Sequence, residues 1–180
     1  MSEASAFVDV LGWARSDFGL DVHLTTCGFN EQVVSAFGVP VLVDARLEEV
    51  DAADYDALAV PGGFEEYGYF EEACDARLAA LLRAFDDRQK LVAGVCAAAL
   101  AFGKSGILEG RSATTYRLDV GYRQTQFRAF GVQVVDEPVV EDGNIITSRS
   151  PQTAAEVAFR LLARLTSGKE TALVREAMGY

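Results

Sequence analysis

Cys96 stands where a buried strand gives way to a helix, and this position could make its thiol reactive. The apolar run at 90–95 is typical of a buried parallel strand, and the small apolar residues after Cys96 predict a helix. Unpaired N–H groups and the helix dipole at such a corner favour thiolate over thiol, so we expect a lowered pKa. The alternative is a small buried residue without chemistry, since free cysteine is commonly buried.

A second sharp corner, a proline and two glycines, follows the apolar run that starts at residue 56. Ligands bind at the carboxyl ends of the strands in parallel sheets, and both corners lie at such ends. They could therefore lie side by side. The backbone N–H groups of Gly62, Gly63 and Ala97 are candidates to hold an oxyanion that develops next to Cys96.

The elements that must position these corners alternate between strand and helix, which predicts one α/β domain over residues 1–180 with a mainly parallel sheet. Apolar spacing predicts helices at 3–15, 70–88, directly after residue 96, 152–165 and 169–178. It predicts strands at 20–26, 39–44, 56–60, 90–95 and 112–116, with two more around a turn at 141–144.

Composition limits the partners and the compartment. The 180 residues are 50% hydrophobic and carry a net charge of -11, which argues against binding to nucleic acid or to an anionic membrane. No apolar run reaches the length of a membrane span, and the first residues do not resemble a secretory signal. The three cysteines show neither metal-type nor disulfide-framework spacing, so we expect a cytoplasmic protein with reduced thiols and no metal site.

Three motifs in order resemble the ThiJ/PfpI superfamily, the class I glutamine-amidotransferase-like proteins: ALAVPGGFEE, GVCAAALAFGKSGILEGRSATTY and VVEDGNIITSRSPQTAAEVAFRLLARL. They are most similar to the branch of the parkinsonism-associated deglycase and its bacterial ThiJ-type relatives. The resemblance implies a flavodoxin-like three-layer sandwich, in which helices flank a mostly parallel sheet. It also implies a nucleophile elbow at Cys96 and a homodimer.

The same family pairs the thiol with a carboxylic acid near the start of the first helix, and SEASAFVDVL fits that helix. The resemblance therefore implies that Glu3 is the second catalytic residue. A protonated carboxyl beside a thiolate is chemically sensible, because the thiolate raises the carboxyl pKa and the O–H can donate to sulfur. The alternative is an ordinary acid that favours the helix dipole, with Ser2 as the cap.

The chain departs from the family pattern at its first strand. Family members place a central strand before the first helix, whereas this sequence starts almost on the helix. An absent central strand leaves neighbouring backbone groups unpaired, at several kcal/mol. We therefore expect that this sequence begins inside the natural protein, rather than that the fold lacks the strand.

The second departure is Tyr116, which stands where many members carry a histidine. The only histidine, His23, is expected to be a structural or surface residue. A Cys–His peptidase or amidase therefore lacks its base. Phe64, Tyr116 and Ser150 are expected to line the pocket, with Ser150 in place of the family's glycine.

Three functions stay open. The first is a glyoxalase- or deglycase-type enzyme that acts on small reactive carbonyls through Cys96 and Glu3, without metal or organic cofactor. The second is a redox sensor or stress-protective protein that works through oxidation of Cys96. A third option is hydrolysis or hydration of another small electrophile.

Overall fold

The computed structural model describes residues 1–117 and 122–180. The α-helices in this part are α1 (Ser2–Phe18), α2 (Tyr69–Ala73), α3 (Ala76–Asp87), α4 (Ala98–Ser105), α5 (Tyr122–Ala129), α6 (Ala154–Leu165) and α7 (Gly168–Ala177). The strands are β1 (Cys27–Gly28), β2 (Gln32–Val34), β3 (Pro40–Leu42), β4 (Ala45–Arg46), β5 (Ala57–Val60), β6 (Leu91–Val95), β7 (Ser112–Ala113), β8 (Gln133–Val134), β9 (Val139–Asp142) and β10 (Ile145–Ser148).

The central sheet has the strand order β5-β6-β10-β9. Strands β5, β6 and β10 are parallel, and β9 joins β10 as an antiparallel hairpin, as the turn predicted at 141–144 requires. The register pairs Val60 with Gly94 and Ser148 with Val95. The carboxyl ends of three neighbouring strands therefore meet at one edge, where the two corners predicted from the sequence follow β5 and β6.

Helices cover both faces of this sheet. On β6, Leu91, Ala93 and Val95 pack into a core with the apolar faces of α1 and α6, whereas Val92 packs into a second core with α3 and α4. All five residues of β6 are buried, because the strand is central and covered on both sides. This arrangement confirms the flavodoxin-like three-layer sandwich that was expected.

Two strand predictions need correction. The strand expected at 20–26 is wrong: the segment is not assigned as a strand, and pairing starts only at Cys27–Gly28, which runs parallel to β4. The strand expected at 39–44 is shorter, since β3 spans only Pro40–Leu42. It pairs with β2 in an antiparallel hairpin and does not join the parallel sheet. A strand needs a neighbour to complete its backbone hydrogen bonds, and alternation along the sequence does not identify that neighbour.

The long helix expected at 70–88 is also wrong in one respect, because it is broken into α2 and α3. The break falls at Cys74 and Asp75, where the Asp75 side chain accepts a hydrogen bond of 2.8 Å from the Arg77 N–H and caps a new helix. Helix α2 thereby becomes a separate short element, and its first residue, Tyr69, packs against Gly63 in the corner after β5.

One edge of β5 pairs with β6, and no other strand of the described residues pairs with the opposite edge. A cavity of about 2130 Å³ extends along that edge, between β5, helix α1 and the segment at 21–29, and reaches the carboxyl end of the sheet at Cys96. No helix within residues 1–117 or 122–180 is long and apolar enough to cross a membrane.

Candidate active site

The corner at Cys96 is a strained backbone turn. Cys96 has φ of 58°, in the left-handed region that residues with a side chain rarely adopt, and α4 begins only at Ala98 with Ala97 at the N-cap. Two hydrogen bonds hold the turn: the Cys96 N–H donates to Ser148 O at 2.8 Å, and Thr115 Oγ1 donates to Cys96 O at 3.2 Å. The thiol is therefore fixed above the end of β6, although only 8% of the residue is exposed.

The Pro61 corner lies directly against this turn, so the structure brings the two corners together. A Cβ added at Gly62 would lie 2.7 Å from Val95 O and 3.0 Å from Ala97 N. A Cβ at Gly63 would lie 2.3 Å from the Tyr69 ring. Both positions require glycine because the neighbouring backbone and ring occupy the space that a side chain needs.

Glu3 lies at the same place, although it is far away in the sequence. The first turn of α1 directs its side chain inward, the residue is 7% exposed, and Glu3 Oε2 accepts a hydrogen bond of 2.5 Å from the Gly62 N–H. The carboxyl also faces the Cys96 thiol, and each of the two groups shifts the pKa of the other. Glu3 is therefore enclosed between two corners of the sheet, and is not an exposed acid at a helix end.

The electrostatics of the pair differ from the sequence expectation for Cys96. Burial, followed by the negative charge of Glu3, raises the pKa of Cys96 to about 12, and the Ala97 N–H and the Arg123 charge only partly oppose this. The expected lowering of the pKa is therefore wrong. The helix-end effect is real but small here, because one N–H group cannot offset the loss of water around the sulfur.

The carboxyl of Glu3 has a raised pKa as well, because burial outweighs the Gly62 N–H, the charge of the chain terminus and the thiol, all of which lower it. The pair is thus a protonated thiol beside a carboxylate whose affinity for protons is increased. A carboxylate in this state is suited to take the thiol proton when sulfur attacks an electrophile.

The expected oxyanion donors divide into two groups. The Gly62 N–H already donates to Glu3, so it holds the acid rather than a substrate oxygen. The Ala97 N–H points at the Cys96 sulfur. Gly63 and Ala97 therefore stay candidates for binding an oxygen that develops beside the sulfur.

The remaining predicted pocket residues lie around the same opening. Phe64, Tyr116 and Ser150 line the cavity together with Cys96, and Phe64 is about half exposed at its mouth. His23 is exposed and lies 3.2 Å from Asp21 on the segment before β1. His23 therefore makes no hydrogen bond to the thiol, and the ionisable side chain beside Cys96 is a carboxyl and not an imidazole.

Sequence reasoning missed three residues that support the site. Tyr69 donates from its hydroxyl to Pro61 O at 2.9 Å and packs against Gly63. Thr115 holds the carbonyl of the turn, and Arg123 lines the cavity from α5. The two threonines before Tyr116 were a sequence feature that could have indicated the role of Thr115. Nothing in the sequence around Arg123 connects it with residue 96.

Comparison with known proteins agrees with this geometry. Residues 2–164 match the sequence profile described as the DJ-1/PfpI family. Protein dj-1beta of Drosophila melanogaster is 33% identical over 151 residues, which cover 83% of this chain and 77% of the relative. The crystal structure of Drosophila melanogaster DJ-1beta matches with a TM-score of 0.84 at 30% identity, covering 98% of this chain and 90% of that chain.

Two microbial relatives carry names that refer to activities. The protein named deglycase PfpI of Pyrococcus furiosus is 32% identical over 136 residues, covering 74% of this chain and 75% of the relative. The protein named putative cysteine protease YraA of Bacillus subtilis is 32% identical over 138 residues, covering 77% of this chain and 78% of the relative.

We expect Glu3→Gln to lower the pKa of Cys96, because it removes the negative charge that opposes the thiolate. The measurement follows thiolate absorbance against pH in a chain whose only cysteine is Cys96. Alkylation at a fixed pH below the midpoint should accelerate about tenfold for each unit by which the pKa falls. Glu66→Gln, an exposed change of the same charge, should leave the midpoint unchanged, and an unchanged midpoint in Glu3→Gln would remove Glu3 from the site.

We expect Cys96→Gly to be more stable than Cys96→Ala by about 1 kcal/mol, because alanine keeps the left-handed strain at φ of 58° and glycine relieves it. Urea unfolding of the two variants measures the difference. Ala93 lies in β6, the strand that leads to Cys96, and does not have a positive φ. Its change to glycine should therefore destabilise the chain. Equal stability of the two Cys96 variants would show that the turn is not strained.

Proposed function

Because the chain belongs to the DJ-1/PfpI family, we propose that it is a cofactor-free, cysteine-dependent enzyme that acts on small reactive carbonyls, a glyoxalase- or deglycase-type activity in stress protection. Membership confirms the resemblance that the three motifs indicated. The observation that carries the proposal is the Cys96 thiol at a strained turn, with the buried carboxyl of Glu3 beside it. The name of the PfpI relative, a deglycase, supports the substrate class.

In the first step, Cys96 sulfur adds to the aldehyde carbon of a 2-oxoaldehyde. Glu3 takes the thiol proton as the carbon–sulfur bond forms, and the π electrons of the carbonyl move to oxygen. The N–H groups of Gly63 and Ala97 are suited to stabilise that oxygen. The proton on Glu3 then passes to it and gives a neutral hemithioacetal.

In the second step, Glu3 moves a proton from the former aldehyde carbon to the neighbouring ketone carbon through an enediol. This isomerisation needs no external oxidant, since one carbon is oxidised as the other is reduced. It yields a 2-hydroxy thioester of Cys96, and water then releases the 2-hydroxy acid and restores the thiol. A carboxyl whose pKa is raised by burial is a stronger base than an exposed carboxylate, so it is suited to take this proton and return it.

Hydrolysis of peptide amides requires more acid–base groups than this site contains. A leaving amine must be protonated while the nucleophile is activated, and Glu3 would have to do both. The single histidine of the chain, His23, pairs with Asp21 at the surface. We therefore propose that the chain is a poor peptidase or amidase, although the YraA relative is named a putative cysteine protease.

The second candidate is a redox-sensing or stress-protective thiol. The contact between Glu3 and Cys96 favours it, because a protonated carboxyl would donate to the oxygens of an oxidised sulfur. Hydrolysis or hydration of another small electrophile would use the same pair. We further propose that the chain forms a homodimer, which fits the exposed cluster of aromatic rings at Phe37, Phe64 and Tyr67. We also propose a cytoplasmic location, which fits the three free cysteines.

We expect purified protein to convert methylglyoxal to D-lactate, and Cys96→Ser to abolish the reaction. Glu3→Gln should reduce kcat by about a hundredfold while the fold is retained, because proton transfer is lost. A chiral lactate assay measures the product. Cys27→Ser is the control, because it makes the same substitution at a cysteine away from the corner, and it should leave turnover unchanged. No turnover of casein or peptide amides is expected.

Two results would contradict the enzyme proposal. Stoichiometric addition of two oxygen atoms to Cys96 by peroxide, with no turnover of small carbonyls, would favour the redox sensor. Clear turnover of a peptide amide, abolished by Cys96→Ala, would favour the hydrolase.

A further inference from the structure

Arg123 is a largely covered cation that lines the same cavity as the Cys96 thiol. Among the described residues that line this cavity, it is the only lysine or arginine, and Cys96, Tyr116 and Ser150 line the same cavity. Its side chain is 14% exposed, although the chain as a whole carries a net charge of -11. A guanidinium that has lost most of its water is retained only where anions or π faces compensate its charge, so the groups that contact Arg123 indicate what this position binds.

The contacts of Arg123 show what its guanidinium binds. The group lies 4.6 Å above the centre of the Phe70 ring and 5.3 Å from that of Tyr122. Nη1 donates to Gln126 Oε1 at 3.1 Å, and Nη2 donates to a carboxylate oxygen of Glu65. The aromatic rings and Gln126 fix the plane of the guanidinium, and its remaining outer edge binds a carboxylate.

That carboxylate is held much less firmly than the guanidinium. Glu65 lies in a single 3-10 turn after Phe64 and its side chain is 67% exposed, so it can move into water without losing hydration. An ion pair with one exposed partner contributes little to stability. Glu65 therefore occupies a carboxylate-binding position from which another carboxylate could displace it.

We propose that Arg123 binds an anionic group of the substrate in place of Glu65, so that the Cys96 site prefers small electrophiles that carry a carboxylate. The inference rests on the proposed reactivity of Cys96. A substrate would present its electrophilic carbon to sulfur while its carboxylate lies against the outer edge of the guanidinium. Arg123 is thus a specificity-determining residue.

Two alkylating reagents of nearly equal size test this inference directly, since iodoacetate carries a carboxylate and iodoacetamide is neutral. With either reagent the carbon–sulfur bond forms as the carbon–iodine bond breaks, iodide leaves with the electron pair, and the thiol proton is lost. The ratio of the two rate constants at Cys96 cancels any change in the thiolate fraction. It therefore separates recognition of the carboxylate from an effect of Arg123 on the thiol pKa.

The rate constants are measured in a chain with Cys96 as its only cysteine. We expect Arg123→Gln to reduce the ratio of iodoacetate to iodoacetamide rates by about tenfold, the effect of one lost charged hydrogen bond. Arg117→Gln is the matched control, because Arg117 pairs with Asp136 at the surface, and its ratio should stay unchanged. Glu65→Gln, which leaves the buried residues untouched, should raise the ratio by freeing the guanidinium.

Each other outcome overturns the inference in a different way. An unchanged ratio in both Arg123→Gln and Glu65→Gln shows that Arg123 does not recognise the carboxylate, while the proposed function stands. Equal decreases in Arg123→Gln and Arg117→Gln show a general charge effect and no site. A Cys96 that reacts with neither reagent removes both this inference and the proposed function.

Discussion

The site depends on one hydrogen bond, the 2.5 Å contact between the Gly62 N–H and the Glu3 carboxylate. It joins the start of the first helix to the corner after β5, and that corner packs directly against the turn that carries Cys96. The bond can form only because residue 62 has no side chain. One backbone donor therefore fixes the distance between the acid and the thiol, and it also compensates part of the desolvation of a buried carboxylate.

This arrangement separates reactivity from a low thiol pKa. Burial and the Glu3 charge keep Cys96 protonated in the resting state, with a pKa of about 12. The same burial raises the proton affinity of Glu3, so the acid is ready to accept the thiol proton at the moment of attack. In the proposed function, such a thiol reacts with an electrophile that binds beside it and is protected from reagents that do not. That behaviour suits an enzyme for small carbonyls better than a freely exposed sensor.

The sequence predicts those parts of the site that depend on neighbours along the chain. The turn at Cys96 and the Pro-Gly-Gly corner follow from buried strands that end abruptly, and the topology of a parallel sheet then brings them together. Glu3 was found only through the family resemblance, because no local pattern connects residue 3 with residue 96. The pKa direction of Cys96 and the partner of Arg123 could not be predicted, since burial and long-range packing decide both. The strand expected at 20–26 failed for a similar reason, because pairing and not alternation makes a strand.

The central claim is that Cys96, with Glu3 as its base, forms a carbon–sulfur bond with a small aldehyde. Carbon-13 NMR of methylglyoxal labelled at the aldehyde carbon tests it most directly, because addition converts that carbon from trigonal to tetrahedral and attaches it to sulfur. The account predicts a protein-bound hemithioacetal or thioester signal with the wild-type chain, and no such signal with Cys96→Ala. Identical spectra for the two proteins, or a signal that survives the loss of Cys96, would contradict it.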